Sequence, residues 1–269
     1  MLKIQSLASG SRGNCAYIGS ETTHILVDVG LMLVTLMKRF ESAGIDPNLI
    51  NAVVITHEHS DHINGVYKFL KKFPNVKIYI PEYAKSCFME KIGHIENERI
   101  ITFNSPFMIG DITIDYFPVS HDSEFCFGYT FENNGAKISF ATDIGWVCDK
   151  VLSKMAGSQI VMLESNHDTI KLSNNVKYPY WLKKRIACDT GHLSNLACGA
   201  ATYKLHQLGC EQVILAHLSA ENNSPSLAYS VVRDFLAKKG VVEGVDISID
   251  VATQNEVGRM FCIENATRQ

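Results

Sequence analysis

The chain has no apolar run approaching the roughly 20 residues that a helix needs to cross a bilayer. Its first residues, Met1-Leu2-Lys3-Ile4-Gln5-Ser6-Leu7-Ala8-Ser9-Gly10, lack the apolar core of a secretion signal. Both absences predict a cytoplasmic protein with no membrane association. There is no CxxC pair either: Cys15, Cys87, Cys126, Cys148, Cys188, Cys198, Cys210 and Cys262 are scattered singly. That pattern argues against a disulfide framework and predicts mostly buried thiols in a reducing compartment. Positive charge is not in excess. A net charge of −3 gives no strong global attraction to nucleic acid, so binding a polyanion would require a local patch. With no low-complexity linker and no short-period repeat, residues 1–269 are predicted to be a single domain. A hydrophobic content of 46% supplies a sizeable core.

What is present alternates. Strand patterns fall at Ile4–Leu7, Cys15–Ile18 and His24–Asp28, then a helix over Leu31–Ala43 closed by Gly44. A short apolar strand, Ala52–Ile55, precedes a helix over His62–Lys72, and a βα pair follows at Lys77–Ile80 and Glu82–Lys91. The middle is strand-rich, with Arg99–Phe103, Ile112–Val119, Phe125–Glu132 and Lys137–Ala141; Asn133-Asn134-Gly135 is a hairpin turn signal. Strands at Gln159–Leu163 and Glu211–Ala216, helices at Asn195–Leu208 and Ser226–Lys239, and strands at Val245–Val251 and Val257–Ile263 complete the chain. This order predicts an α/β fold: a four-layer αββα sandwich of two mixed β-sheets with helices outside.

The chemistry concentrates in Thr56-His57-Glu58-His59-Ser60-Asp61-His62, directly after the strand Ala52–Ile55. On extended backbone, side chains at i and i+2 point the same way, which lets His57 and His59 share one metal ion. Asp61 and His62 follow as the chain turns, so they are expected to face elsewhere and to be available for a second ion. Imidazole nitrogen with carboxylate oxygen suits zinc and related divalent ions. The competing reading, a polar turn that happens to be rich in histidine, does not account for four ligand-type residues at this spacing.

Further ligand types sit where predicted strands end. Ile112–Val119 runs into Ser120-His121-Asp122, Lys137–Ala141 into Thr142-Asp143, and Gln212–Ala216 into His217. Each alone is an ordinary residue, but loops at strand ends carry chemistry on a rigid scaffold, and the set accompanies His57.

The HxHxDH run followed by isolated His, Asp and His resembles the metallo-β-lactamase superfamily over essentially the whole chain. The resemblance implies the αββα fold, one divalent ion held by His57, His59 and His121, a second held by Asp61, His62 and His217, and Asp143 bridging them. Ser6-Leu7-Ala8-Ser9-Gly10-Ser11-Arg12-Gly13-Asn14, Ala141-Thr142-Asp143-Ile144-Gly145, Leu163-Glu164-Ser165-Asn166-His167-Asp168, Gly191-His192-Leu193-Ser194-Asn195 and Ala216-His217-Leu218-Ser219 are similar to the YycJ (WalJ, VicX) branch. That similarity implies a bacterial metallohydrolase with 5′–3′ exonuclease activity. Glu164 and His192 resemble the Glu and His elements of tRNA 3′-processing endonucleases, which implies a carboxylate orienting a proton-donating imidazole.

The expected function is thus a dinuclear metal-dependent phosphodiesterase acting on nucleic acid by attack of a metal-activated hydroxide. Asp61 is a candidate to orient the attacking water, and zinc, manganese and iron all suit such a ligand set. Between Thr169 and Ile186 lie Lys171, Lys177, Lys183, Lys184 and Arg185, with Tyr178, Tyr180 and Trp181 interleaved and no acidic residue. With Arg12 these are candidate contacts to phosphates and bases. Other readings compete: small-ester or thioester hydrolysis of the glyoxalase-II type, a non-catalytic metal-binding regulator, and a diiron redox protein. The basic–aromatic segment and the Glu164/His192 pair favour the phosphodiester. His59 stands where diiron relatives carry an acidic residue. The interval from Asp143 to His217 is too short for the inserted cap domain of β-CASP nucleases.

Overall fold

The computed structural model describes residues 1–264. Six strands come first: β1 (Leu2–Ala8), β2 (Cys15–Gly19), β3 (His24–Val27), β4 (Ala52–Val54), β5 (Lys77–Pro81) and β6 (Ile100–Phe103). Eight follow: β7 (Phe107–Ile109), β8 (Ile112–Pro118), β9 (Phe127–Asn133), β10 (Ala136–Ala141), β11 (Ile160–Glu164), β12 (Gln212–Ala216), β13 (Ser248–Val251) and β14 (Met260–Ile263). They form two seven-stranded mixed sheets, ordered β14-β1-β2-β3-β4-β5-β6 and β13-β12-β11-β10-β9-β8-β7. The expected α/β class and pair of mixed sheets are observed. The chain divides into two compact units.

The first unit comprises Met1–Tyr116, Phe131–Ala136 and the segment from Gln254 onward. In its sheet β3, β4, β5 and β6 are parallel, with Leu26 opposite Val53 and Val53 opposite Ile78. Parallel neighbours require crossovers, supplied by α1 (Leu33–Ala43), α2 (Ser60–Ile63), α3 (Val66–Lys72) and α4 (Lys85–Ile92). Helix α1 buries Leu36 and Phe40 and stops at Gly44, whose φ of 67° closes it in the left-handed conformation. The helix expected over His62–Lys72 is two helices. They part at Gly65, whose amide donates to the Val29 carbonyl at 2.8 Å rather than within the helix; only glycine fits there, since a Cβ would fall 2.0 Å from the Leu31 carbonyl oxygen.

The second unit comprises Phe117–Thr130 and Lys137–Thr253. Strands β10, β11, β12 and β13 are parallel, with α5 (Asp149–Met155), α6 (Thr169–Asn174), α7 (Tyr180–Ala187), α8 (Asn195–Gln207) and α9 (Pro225–Lys238) between them. The β9–β10 hairpin turns in residues of the first unit, where Asn134 and Gly135 both have positive φ, 47° and 84°, as a two-residue primed turn demands. Val161, Leu163, Val213 and Leu215 pack with Leu205, Val232 and Leu236 in the core. Each such side chain contributes about 1.5–3 kcal/mol by leaving water. Helix α7, which the sequence pattern did not reveal, buries no residue.

None of the eight cysteines is in a disulfide, and Cys15, Cys126, Cys198 and Cys210 are buried. Burial pushes the Cys198 and Cys210 thiols up to about 12, so they are inert packing groups. Among the described residues no helix is long and apolar enough to cross a membrane.

Candidate active site

In both sheets the chemistry-bearing residues emerge where parallel strands end. Strand β4 releases Ile55, Thr56 and His57, and β3 beside it releases Asp28. Asp28 is fully buried with a φ of 61°, a strained conformation for a residue with a side chain. Its Oδ1 accepts from the Thr56 amide at 2.8 Å, and its Oδ2 from the Thr56 hydroxyl at 2.7 Å and His62 Nδ1 at 2.7 Å.

These bonds fix which ring nitrogens carry protons. A carboxylate only accepts, so His62 carries its proton on Nδ1 and keeps the Nε2 lone pair. The Thr56 hydroxyl gives its one proton to Asp28, so at 3.0 Å it accepts from His57 Nδ1. His57, too, presents Nε2 as its ligand atom. The His57 and His59 ring centroids are 4.7 Å apart, as the alternation expected. His62 is not turned away from that pair: its ring centroid lies 4.1 Å from that of His57, and its Nε2 lies 3.6 Å from Asp61 Oδ2.

The Gly-rich loop before β2 braces this cluster. Asn14 Oδ1 accepts from the Gly10 amide at 2.8 Å, which aims Nδ2 at His62 Nε2 (3.0 Å) and Asp61 Oδ2 (3.3 Å). The Asn14 amide donates to the Asp61 carbonyl at 2.7 Å. Gly30 is required there, since a Cβ would fall 1.7 Å from the same carbonyl oxygen. Arg12 is exposed in this loop and donates its backbone N–H to Gln254.

In the second unit, β10 ends at Ala141 just before Thr142 and Asp143, β11 ends on Glu164, and β12 leads into His217. Asp143 and His217 both have φ of 54°. Glu164, fully buried, organises the group. Its Oε1 accepts from His192 Nδ1 at 2.8 Å and His217 Nδ1 at 2.7 Å. Its Oε2 accepts from the amides of Ile144 at 2.8 Å and Leu193 at 3.2 Å. Burial pushes the Glu164 carboxyl up. The charges and hydrogen bonds of His192 and His217 outweigh that and hold it at about 2. In turn, burial lowers His192, but Glu164 and Asp143 together raise it above the usual imidazole value.

Four donors occupy the two Glu164 oxygens, so this carboxylate orients imidazoles rather than ligating an ion. His217 and His192 thereby present Nε2, and so does His121, whose Nδ1 is 3.1 Å from the Gly191 carbonyl. Asp143 Oδ1 lies 3.4 Å from His217 Nδ1, 3.7 Å from His121 Nε2 and 3.8 Å from His192 Nδ1. One ligand-type atom from each of Asp143, Glu164, His192 and His217 lies within 4.8 Å of the others. Carboxylate oxygens with imidazoles locked in one tautomer are the donor chemistry of a divalent metal centre.

Helix α7 is tied to this group. The His192 amide donates to the Ile186 carbonyl at 2.8 Å, and Arg185 pairs with Asp122 at 2.5 Å. Lys183 Nζ donates to the Ser173 carbonyl at 2.6 Å, while Lys184 is exposed. Arg185 and Lys183 thus already hold protein partners, whereas Tyr180 and Trp181 project outward, 80% and 64% exposed. Asp168 caps α6 by accepting from the Lys171 amide. Burial pushes the imidazole of His167 down to about 4.

Sequence reasoning missed Asp28, Asn14, Asn166 and Asn223. Asn166 Nδ2 holds the His217 carbonyl at 2.8 Å, and Asn223 Nδ2 binds the carbonyls of Ser165 and Asn166, each at 2.9 Å. Asn14 and Asn166 lie inside the motifs similar to the YycJ branch, and Asp28 at a strand end; those are their only signals in the sequence.

The same residues organise the comparison with known proteins. A family profile described as a β-lactamase superfamily domain matches residues 23–218, the interval that contains every strand-end residue from His57 to His217. The chain is 34% identical over 241 residues to a Bacillus anthracis protein named exodeoxyribonuclease YycJ, covering 89% of this chain and 90% of that one. It is 31% identical over 251 residues to Streptococcus pneumoniae D39 exodeoxyribonuclease WalJ, covering 92% and 93%. The metallo-β-lactamase fold protein YhfI of Bacillus subtilis superposes with a TM-score of 0.70 at 16% identity over 97% of this chain and 98% of that one, which shows a shared fold. Fold, matched interval and near end-to-end identity agree, and this chain belongs to the metallo-β-lactamase superfamily, in the branch of YycJ and WalJ.

Proposed function

We propose that residues 1–269 act as one dinuclear metal-dependent phosphodiesterase that removes nucleotides from the end of a nucleic acid in the cytoplasm, in the 5′–3′ sense. The observation that carries this reading is the Glu164–His192 pair beside Asp143: a buried carboxylate orienting an imidazole whose pKa is raised, which is the equipment for protonating a leaving oxygen. Two supports stand beside it. Both YycJ and WalJ are named exodeoxyribonucleases, and α7 carries exposed aromatics among lysines and an arginine.

In this reading His57, His59 and His121 would hold one divalent ion, Asp61, His62 and His217 would hold a second, and Asp143 would serve both; zinc or manganese suits the set, as does iron. Bound there, such ions would supply Lewis acidity toward the phosphoryl oxygens and a nucleophile near neutral pH. The protein's own residues do the rest. Asp61, held by Asn14, orients the attacking water. His192 delivers its Nε2 proton to the departing oxygen, while Glu164 fixes the ring and stabilises the charged form. Tyr180 and Trp181 offer stacking faces, and Arg12 and Lys184 exposed cations, to the polymer; Lys183 and Arg185 serve mainly to hold α7 in place.

The test is a substrate panel with the purified metal-loaded protein: end-labelled DNA, end-labelled RNA and a glutathione thioester. Metal-dependent release of mononucleotides from a polymer supports the reading. Rapid thioester hydrolysis with intact polymers overturns it.

A further inference from the structure

We propose that the cleft beside the Glu164–His192 pair is a subsite for one unstacked nucleobase of the substrate, with Trp146 as its stacking wall. This rests on the phosphodiesterase reading and adds the group that reading left unplaced.

The cleft encloses about 400 Å³, toward the small end of ligand pockets. Its walls are Trp146 and Val147 in the loop after Asp143, and Leu193, Ala197 and Ala201 where α8 begins. Backbone bonds join it to the acid–base pair. Glu164 Oε2 accepts from the amides of Ile144 and Leu193; Leu193 lines the cleft, and so does Gly145, the residue after Ile144. Gly145 has no space for a side chain, because a Cβ would fall 2.4 Å from the Asp189 carbonyl oxygen and 2.8 Å from the Gly191 nitrogen. Its own amide donates to the Ser120 carbonyl at 2.8 Å. The cleft wall and the loop carrying His192 are therefore one packed piece.

The lining chemistry matches a heteroaromatic base. Trp146 is 57% exposed, a large ring that shares the lining with Ala197, Ala200 and Ala201, whose side chains are too small to fill the cleft. At the rim, Lys204 Nζ and Asp149 Oδ1 lie 3.9 Å apart, one donor beside one acceptor. A nucleobase has two apolar faces and an edge bearing donors and acceptors, so it uses both features. An acyl chain would leave the charged pair idle, and a phosphate would not enter among Leu193, Ala197 and Ala201. Stacking on an aromatic side chain binds every base, which suits an enzyme that must accept successive nucleotides.

The chain has two tryptophans, so Trp181→Phe leaves Trp146 as the sole indole reporter. In full-length, metal-loaded Trp181→Phe protein, a short single-stranded phosphorothioate oligodeoxynucleotide should quench its fluorescence saturably. In the otherwise unaltered enzyme, Trp146→Ala should raise KM for single-stranded DNA about ten-fold while kcat stays within about two-fold, and Trp146→Phe should restore KM. No quenching, together with an unchanged KM in Trp146→Ala, overturns the subsite. A protein that cleaves no polymer defeats the phosphodiesterase reading instead, and quenching then still decides whether the cleft takes a base.

Discussion

His192 Nδ1 and Glu164 Oε1 are 2.8 Å apart, and the same oxygen lies 2.7 Å from His217 Nδ1. One buried carboxylate therefore positions both the proposed proton donor and a proposed metal ligand. The two roles separate by mutation. His192→Ala should keep its metal content and lose about 10²–10⁴-fold in kcat, the usual contribution of a positioned acid. Elemental analysis and steady-state kinetics on the same preparation check this; unimpaired turnover would remove His192 from the reaction.

The pH profile follows from the same bond. An acid acts only while protonated, so kcat should fall as pH rises through the pKa of His192. Glu164 and Asp143 place that pKa above the usual imidazole value of 6.5. Glu164→Gln removes the charge that favours the protonated ring, so the alkaline limb should shift to lower pH. A limb that stays in place would show that another group titrates there.

Asp28 is the corresponding carboxylate in the other unit. Asparagine tolerates positive φ, so Asp28→Asn keeps the backbone while weakening the hold on Thr56 and His62. Metal affinity, measured by chelator competition, should fall on the order of 10–100-fold. Unchanged affinity would contradict the account of how His57 and His62 are oriented.

Asp111 tests acid stability away from the proposed site. Partial burial pushes its carboxyl up, but hydrogen bonds from Ser20, Thr23 and Asn133 prevail and hold it at about 2, below the ordinary 3.8. Its folded pKa is depressed, so its contribution is present above about pH 4 and is lost as pH falls toward 2. Thermal melts should show Asp111→Asn with a lower Tm at pH 7 and a difference that closes below pH 4. A difference independent of pH would locate the effect elsewhere.

Much of this was legible in the sequence, and what was not has physical reasons. His57, His59, Asp61 and His62 are contiguous and follow an apolar strand, so pattern alone exposes them. His121, Asp143 and His217 are single residues, visible because each ends a strand of buried Val, Ile or Phe. Asp28 also ends a strand, but it accepts hydrogen bonds from Thr56 and His62 and has no ligand-type neighbour in sequence to mark it. Asn14, Asn166 and Asn223 act through backbone carbonyls, amides and a ring nitrogen brought together only by folding. Helix α7 escaped because it buries no residue, so no apolar period betrays it. The break at Gly65 depends on a carbonyl more than thirty positions earlier in the chain, which local propensity does not contain.

The central claim is that two groups of strand-end residues run one metal-dependent cleavage of nucleic acid. Its most direct test is release of mononucleotides from end-labelled DNA by the purified protein with Mn²⁺ or Zn²⁺, beside His57→Ala and Asp61→Ala. The account predicts stepwise shortening from one end that stops on chelation and is lost in both variants. Cleavage that survives chelation, or that persists in both variants, would contradict it.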